Sequence, residues 1–300
     1  MPNVTVVIPT FNRREVIVQA LQSVFAQSYR DFEVVVVDDG SVDDTETGIV
    51  SFRDRVRYVF QDHAGPGRAR NHGISLAHGD LIAFLDSDDQ WEPTHLAMGV
   101  EVFERYPECA LVCSQARVEN RTERGGVDDG KILYGDLYAA LFQHNFVRTP
   151  ATLVRKRCLE DLGGFNEFYH CFEDYDLWLR IAARYSIARM RRRSVRLGRR
   201  TDNLSQDSKS DRAIILQILE ANRDGRRISE AIYRRRISNC CLALARYEFV
   251  NGRRYHGWRH LMRAQTLTPL RLRPYRYWVK MLGYEIVRTV FRRGRQLGVL

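Results

Sequence analysis

The chain has 300 residues, 44% of them hydrophobic, which suffices for one large domain, or a domain with an appendage, around a sizeable core. No run approaches the roughly 20 apolar residues that span a bilayer, MPNVTVVIPTFN is unlike a secretory leader, and six cysteines show no zinc-type spacing. Residues 225–300 hold 18 Lys/Arg against 3 Asp/Glu, a net +15, whereas residues 1–224 hold 29 against 34, a net −5. Two regions with different tasks are expected, 1–224 and 225–300, with the cytosol as the default compartment.

Val4-Thr5-Val6-Val7-Ile8 reads as a strand ended by Pro9. The next segment predicts a helix over 13–27, with Asn12 as its cap, Glu15 as capping-box partner, and a stripe of Val16, Ile17, Ala20, Leu21, Val24 and Phe25. EVVVV at 33–37 is the second strand, followed by a helix to about Phe52 and a strand near Val56–Phe60. A helix over about Ala69–His78 leads into the apolar run Leu81-Ile82-Ala83-Phe84-Leu85. Strands alternating with helices of this length predict a mainly parallel sheet with right-handed crossovers. ENRTERGGVDDGK, 119–131, is the clearest loop.

The run from Leu81 ends in Asp86, Asp88 and Asp89. On an extended backbone Asp86 and Asp88 point the same way, and ligands of open α/β sheets bind beyond the carboxyl ends of such strands. Clustered carboxylates repel unless a cation joins them, and hard oxygen ligands suit Mg²⁺ or Mn²⁺ with a diphosphate completing the shell. A solvated acidic turn would share the pattern. Asp38 and Asp39 end the second strand, where a carboxylate can accept a uracil N–H or ribose hydroxyls, or simply shape a turn. His63 to Gly73 places glycines and arginines, Arg70 among them, before a helix; this suits either an approach to phosphate or plain turn chemistry. Glu173 and Asp174 begin a helix whose apolar face is Leu177, Trp178, Ile181, Ala182 and Tyr185. The helix dipole favours ionised carboxylates there by about 0.3–1 kcal/mol. That suits a general base and an ordinary acidic first turn alike.

VVIPTFNR (6–13), VVVDDGSVDDT (35–45), GPGRARNHGI (65–74), FLDSDD (84–89), LGGFNE (162–167) and EDYDLWLR (173–180) together resemble the family-2 glycosyltransferases over about residues 3–205. The resemblance implies the GT-A fold, a Rossmann-like nucleotide-binding sheet flanked by helices, here with a basic helical C-terminal region. It implies a donor pocket of Pro9, Thr10, Asn12, Asp39, Arg70, Asp86 and Ser87, with Asp39 on the base. Asp86 and Asp88 would hold ribose and the metal–diphosphate, with Asp88 as metal ligand and Mg²⁺ or Mn²⁺ as cofactor. Asp174 would be the catalytic base, and Asp38, Asp89 and Glu173 would be supporting residues of the site. Related sequences often carry a histidine near RTDNLS, where this chain has Thr201-Asp202. The QxxRW signature of processive synthases is absent, which argues against a polymerase.

One metal site and one lone carboxylate suit an inverting, single-displacement transfer, because a nucleoside diphosphate leaves as an anion that a cation stabilises. A glycosidase would need two carboxyl groups flanking the bond. The expected function is transfer from a nucleoside-diphosphate sugar, UDP-linked in the first instance, to a saccharide or lipid-linked acceptor in cell-surface polysaccharide or lipopolysaccharide assembly. A nucleotidyltransferase and a non-catalytic binding protein are the alternatives. From Ser229 onward the chain reads as helical, with breaks at Pro269 and Pro274 and a last amphipathic helix over 277–293. Its basic edges suit the inner face of an anionic membrane, or a cap packed on the catalytic domain. No nucleic-acid motif is present.

Overall fold

A computed structural model describes residues 3–118, 128–198 and 212–279. It divides into two compact units, Met1–Leu204 and Ser205–Leu300.

The first unit opens with β1 (Val4–Thr10), α1 (Ile17–Phe25), β2 (Phe32–Asp38), the short α2 (Thr45–Gly48), a 3₁₀ turn (Val50–Arg55) and β3 (Arg57–Phe60). Then come α3 (Pro66–Leu76), β4 (Leu81–Phe84), β5 (Gln90–Trp91), α4 (His95–Arg105), β6 (Cys109–Val118), β7 (Ile132–Gly135) and α5 (Tyr138–Gln143). β8 (Thr152–Arg155), α6 (Lys156–Leu162), α7 (Glu173–Arg184) and β9 (Ser186–Leu197) complete it. All strands join one sheet in the order β3-β2-β1-β4-β8-β6-β9-β5, with β7 on β9. The β3-β2-β1-β4 half is parallel, and the apolar runs of its inner strands β1, β2 and β4 are buried on both faces, as parallel strands require. Beyond β4 the sheet is mixed, because β8 runs antiparallel to both β4 and β6.

The order of connection reverses at β1, whose neighbours are β2 on one side and β4 on the other. A switch point of this kind opens a crevice at the strand ends. Val4, Val6, Ile8, Val34, Val36, Ala83 and Leu85 pack with α1 and α4 on one face. On the other face Val35 and Val37 meet Ala69 of α3, and Phe84 meets Phe165 and Trp178 at ring distances of 5.4 and 6.2 Å. That aromatic contact brings the start of α7 to the end of β4.

Two local expectations are corrected. Helix α1 begins at Ile17 rather than at 13, and Asn12 does not cap it: Asn12 sits at φ 53 and is bonded to Ser41 and Val42 instead. The helix expected to run to Phe52 is split into α2 and a 3₁₀ turn. Of the 119–131 loop, only 128–131 lies within the described residues.

The second unit is helical. Arg212–Ala221, Glu230–Val250 and Arg254–Leu267 bury Leu216, Ile218, Leu219, Ile237, Cys241, Leu242, Leu244, Phe249 and Leu261. Ser229 caps the long helix through Ile232 N, and Ser238 Oγ donates to Ala264 O at 3.0 Å, tying two helices together. This unit includes Arg212–Ala221, which lies ahead of the charge change at 225. Most of the helix expected at 277–293, and the RTDNLS stretch, lie outside the described residues. Cys109, Cys113, Cys158 and Cys241 are buried thiols.

Candidate active site

The crevice at the ends of β1, β2 and β4 collects most of the sequence-predicted residues. β1 pairs with β4 only through Val7, so Pro9 lies where β4 has ended and its missing N–H leaves no ladder bond unmade. Thr10, next along, is buried, and its hydroxyl has no hydrogen-bond partner. Such a group is costly unless something polar meets it. At the end of β2, Asp38 accepts from Ser41 N and Tyr58 Oη, both at 2.8 Å, and so shapes the turn. Asp39 accepts from Gln61 Nε2 (2.7 Å), Ala64 N (2.9 Å) and Gly65 N (2.8 Å), with His63 Nδ1 also 2.9 Å away. Its lone pairs are thus engaged in holding the 61–65 loop. Asn12 Oδ1 accepts from Val42 N at 2.9 Å, joining the β1 loop to the β2 loop. Phe11, absent from the expected set, is exposed and stacks on His63 with ring centroids 4.2 Å apart.

The acidic end of β4 departs from simple alternation. The strand stops at Phe84, and Asp86 to Asp89 form a turn closed by Asp89 N donating to Asp86 O at 3.0 Å. The extended-backbone argument for Asp86 and Asp88 therefore does not apply, and a turn assembles the carboxylates instead. Ser87 is buried within it. Asp89 is buried and accepts from Gly198 N at 2.8 Å. Burial, reinforced by the charges of Asp86 and Asp88, pushes its carboxyl well above the usual range. Gly198 has to be glycine, since a Cβ there would lie 2.1 Å from Asp88 O.

Arg70 joins this turn to α7. Its guanidinium is buried, donating from Nη2 to Asp86 Oδ1 at 2.8 Å and from Nη1 to Glu173 Oε1 at 2.7 Å. The two carboxylates raise its pKa against the opposing effect of burial. The predicted phosphate-facing guanidinium is committed here to protein carboxylates.

Helix α7 starts after Phe172, which has a left-handed backbone (φ 58, ψ 16), a conformation rarely taken by an aromatic residue. Asp174 accepts from Thr149 Oγ1 at 2.9 Å and from Tyr175 N at 2.6 Å. Burial pushes its pKa up, while Arg70, Thr149 and the Tyr175 amide oppose the rise. Glu173 is likewise raised by burial and opposed by Arg70. Glu173 is bound to the guanidinium, whereas Asp174 holds only neutral donors and keeps part of its surface open. Of the pair, Asp174 is the carboxylate that is not bonded to the guanidinium.

Electrostatic contacts link Asp89 to Asp86 and Asp88, and Asp86, Glu173 and Asp174 to Arg70, and Asp89, Glu173 and Asp174 carry raised pKa values. Carboxylates gathered in this way fit a bound cation. Among the described residues no three His, Cys, Asp or Glu side chains enclose a metal site. Asp86 and Asp88 would hold the ion with open positions left, which suits Mg²⁺ or Mn²⁺ sharing its shell with water and phosphate oxygens.

Comparisons with known proteins bear on the family and the fold. A family model described as "Glycosyl transferase family 2" matches residues 5–163. Succinoglycan biosynthesis protein ExoW of Rhizobium meliloti is 42% identical over 113 residues, 35% of each chain. The chain spans about three fifths of the length of the curated relatives that it matches over 193 and 185 residues. S. aureus TarS 1-349 in complex with UDP-GlcNAc aligns with a TM-score of 0.70 at 19% identity, over 97% of this chain and 92% of that one. The mannosyltransferase PcManGT from Pyrobaculum calidifontis, in complex with GDP-Man and Mn²⁺, aligns at 0.63 and 20% identity, over 96% and 86%. At these identities the two structures establish a shared fold.

Proposed function

The chain belongs to glycosyl transferase family 2, and from that premise we propose that it moves a sugar from a nucleoside-diphosphate donor to an acceptor hydroxyl with inversion at the anomeric carbon. The observation that carries this reading is the placement of Asp174 at the start of α7, joined through Glu173 and Arg70 to the Asp86 turn. Asp174 takes the proton of the acceptor hydroxyl. The freed oxygen pair bonds to the anomeric carbon, the bond from that carbon to the diphosphate oxygen breaks, and the diphosphate leaves with its electron pair. A bound Mg²⁺ or Mn²⁺ supplies positive charge to the leaving diphosphate. Asp86 and Asp88 are the residues that would hold it. The fold shared with proteins solved with UDP-GlcNAc and with GDP-Man and Mn²⁺ supports a nucleotide sugar and a divalent ion. UDP-sugars are the first donors to try.

The crevice where β1 and β4 part suits the nucleoside: Thr10 offers an unpaired hydroxyl there, and exposed Phe11 offers a ring face. With Asp39 engaged by the 61–65 loop, contact with the base would require that carboxylate to exchange one of its present donors.

The acceptor is proposed to be a saccharide, free or lipid-linked, in cell-surface polysaccharide assembly; the likeness to a succinoglycan biosynthesis protein supports the pathway. Among the described residues no helix is long and apolar enough to cross a membrane. Residues 249–279 carry seven arginines and no acidic residue. Leu270, Leu272 and Val279 are exposed beside them, and burial with the neighbouring Arg235 and Arg273 lowers the pKa of Arg271. Clustered cations next to exposed apolar side chains fit attachment to an anionic lipid surface, where each basic residue contributes about 1 kcal/mol. The test of the catalytic reading is a panel of nucleotide sugars assayed for nucleoside diphosphate release with Mn²⁺, Mg²⁺ or EDTA. Metal-dependent release from a nucleotide sugar supports it; pyrophosphate as product would support a nucleotidyltransferase instead.

A further inference from the structure

A groove of about 620 Å³ runs between the start of α3 and the 162–168 turn, within the size range of small-ligand sites, about 300–1,000 Å³. Its walls are fixed. Asn71 Nδ2 donates to Phe165 O and Glu167 Oε1, both at 2.9 Å, and Asn71 Oδ1 accepts from Phe165 N at 2.8 Å. Arg180 donates to Leu162 O and Gly164 O at 2.8 and 2.7 Å. The turn itself is closed by Asn166, whose Oδ1 accepts from Phe168 N at 3.1 Å and whose O accepts from Tyr169 N at 3.2 Å. This hydrogen-bonded framework leaves Phe168 94% exposed at the groove. An aromatic ring held in water by a pinned backbone differs from one left exposed on a loose loop.

The walls of the groove touch residues on both sides of the candidate site. Ala64, which lines one end, donates its N–H to Asp39 beside the donor crevice. Phe165, in the wall, lies against Gly67, and so does Glu173 at the start of the base-bearing helix: a Cβ on Gly67 would be 3.7 Å from one and 3.3 Å from the other. Polar side chains of Arg68, Asn166 and Glu167 complete the rim. An apolar ring face beside planar amide and charged groups matches a sugar, which presents C–H on one face and hydroxyls at its edge.

We propose that this groove is the acceptor subsite and that Phe168 is the platform on which the acceptor saccharide lies. The inference rests on the glycosyl-transfer reading. It makes the acceptor a sugar ring offered to Asp174 from the α3–α7 side, with Arg68, Asn166 and Glu167 selecting its hydroxyls.

The experiment uses the full chain with a donor that it consumes, and p-nitrophenyl β-glucoside, β-galactoside and β-N-acetylglucosaminide as acceptor probes. Nucleoside diphosphate release is followed with and without each probe for wild type, Phe168→Ala and Phe168→Trp. Phe168→Ala is expected to raise the KM for the glycoside about ten-fold, to leave acceptor-free donor hydrolysis unchanged, and to be rescued by Phe168→Trp. An unaltered glycoside KM in Phe168→Ala, or equal loss of acceptor-free hydrolysis, overturns the assignment. So does a wild-type enzyme that hydrolyses donor but accepts none of the three glycosides. Absence of any release from nucleotide sugars would instead strike the glycosyl-transfer reading itself.

Discussion

Glu173 and Asp86 are held by one guanidinium: Arg70 meets the first at 2.7 Å and the second at 2.8 Å, joining the start of α7 to the acidic turn. Removing the cation would leave Glu173 as an uncompensated buried charge. Arg70→Met is expected to destabilise the first unit by about 3–5 kcal/mol, the usual cost of breaking a buried pair from one side. Urea unfolding measures this, and Arg70→Lys should fall between the two because it loses the planar two-pronged contact. A loss within ~0.5 kcal/mol for Arg70→Met, as at an ordinary surface position, would show that the pairing carries no structural weight.

Thr149 tunes Asp174. Its hydroxyl donates at 2.9 Å and favours the ionised carboxylate. In Thr149→Val that support is gone, so the Asp174 pKa rises further. The acid limb of the kcat/KM profile, which reports the base losing its charge, should move to higher pH. A profile that drops at every pH without moving would make Thr149 a packing residue only.

Much of this was legible in the sequence where one local pattern decides the outcome. The continuous apolar runs of β1, β2 and β4 needed no partner to be read as buried parallel strands, and the acidic start of α7 appears in EDYDLWLR. Asn12 failed as a helix cap because bonds to Ser41 and Val42, about thirty positions away, hold it at positive φ. The role of Arg70 depends on partners 16 and 103 positions distant, and that of Gly198 on one 109 positions distant. No local spacing encodes such pairings. Phe11 and Gly198 had a weak signal at best: an aromatic just after a strand end, and a glycine ending a basic strand.

His95 gives the first unit a specific weakness to acid. It is fully buried, its Nδ1 lies 2.8 Å from Ser194 Oγ, and its Nε2 has no partner. Burial lowers its pKa to about 3, against 6.5 in the unfolded chain. The folded state therefore stays neutral while the unfolded state takes up a proton. The stability this neutrality confers is complete above pH 6.5 and is lost progressively as pH falls from 6.5 towards 3. The slope from this one group approaches about 1.4 kcal/mol per pH unit. His95→Asn, less stable at neutral pH, should show a flatter decline between pH 6.5 and 4.5 in urea unfolding; parallel curves for the two proteins would remove His95 as the cause.

The arginine-rich second unit is expected to bind anionic vesicles in a salt-dependent way, since exposed charges are screened within about 8 Å at physiological ionic strength. Co-sedimentation of the full chain with vesicles containing anionic lipid should fall with added salt, and fall again when Leu270 and Leu272 are both replaced by Ser. Binding indifferent to lipid charge would reject attachment through these arginines.

In the proposed mechanism Asp174 removes the acceptor proton while a metal held at Asp86 and Asp88 serves the donor. The direct measurement compares Asp174→Asn with wild type for turnover and for donor binding in Mn²⁺, the binding by calorimetry. Turnover is expected to fall by about 10²- to 10⁴-fold, the usual worth of a general base, with donor affinity unchanged. Wild-type turnover in Asp174→Asn would contradict the mechanism, as would loss of donor binding equal to the loss of turnover.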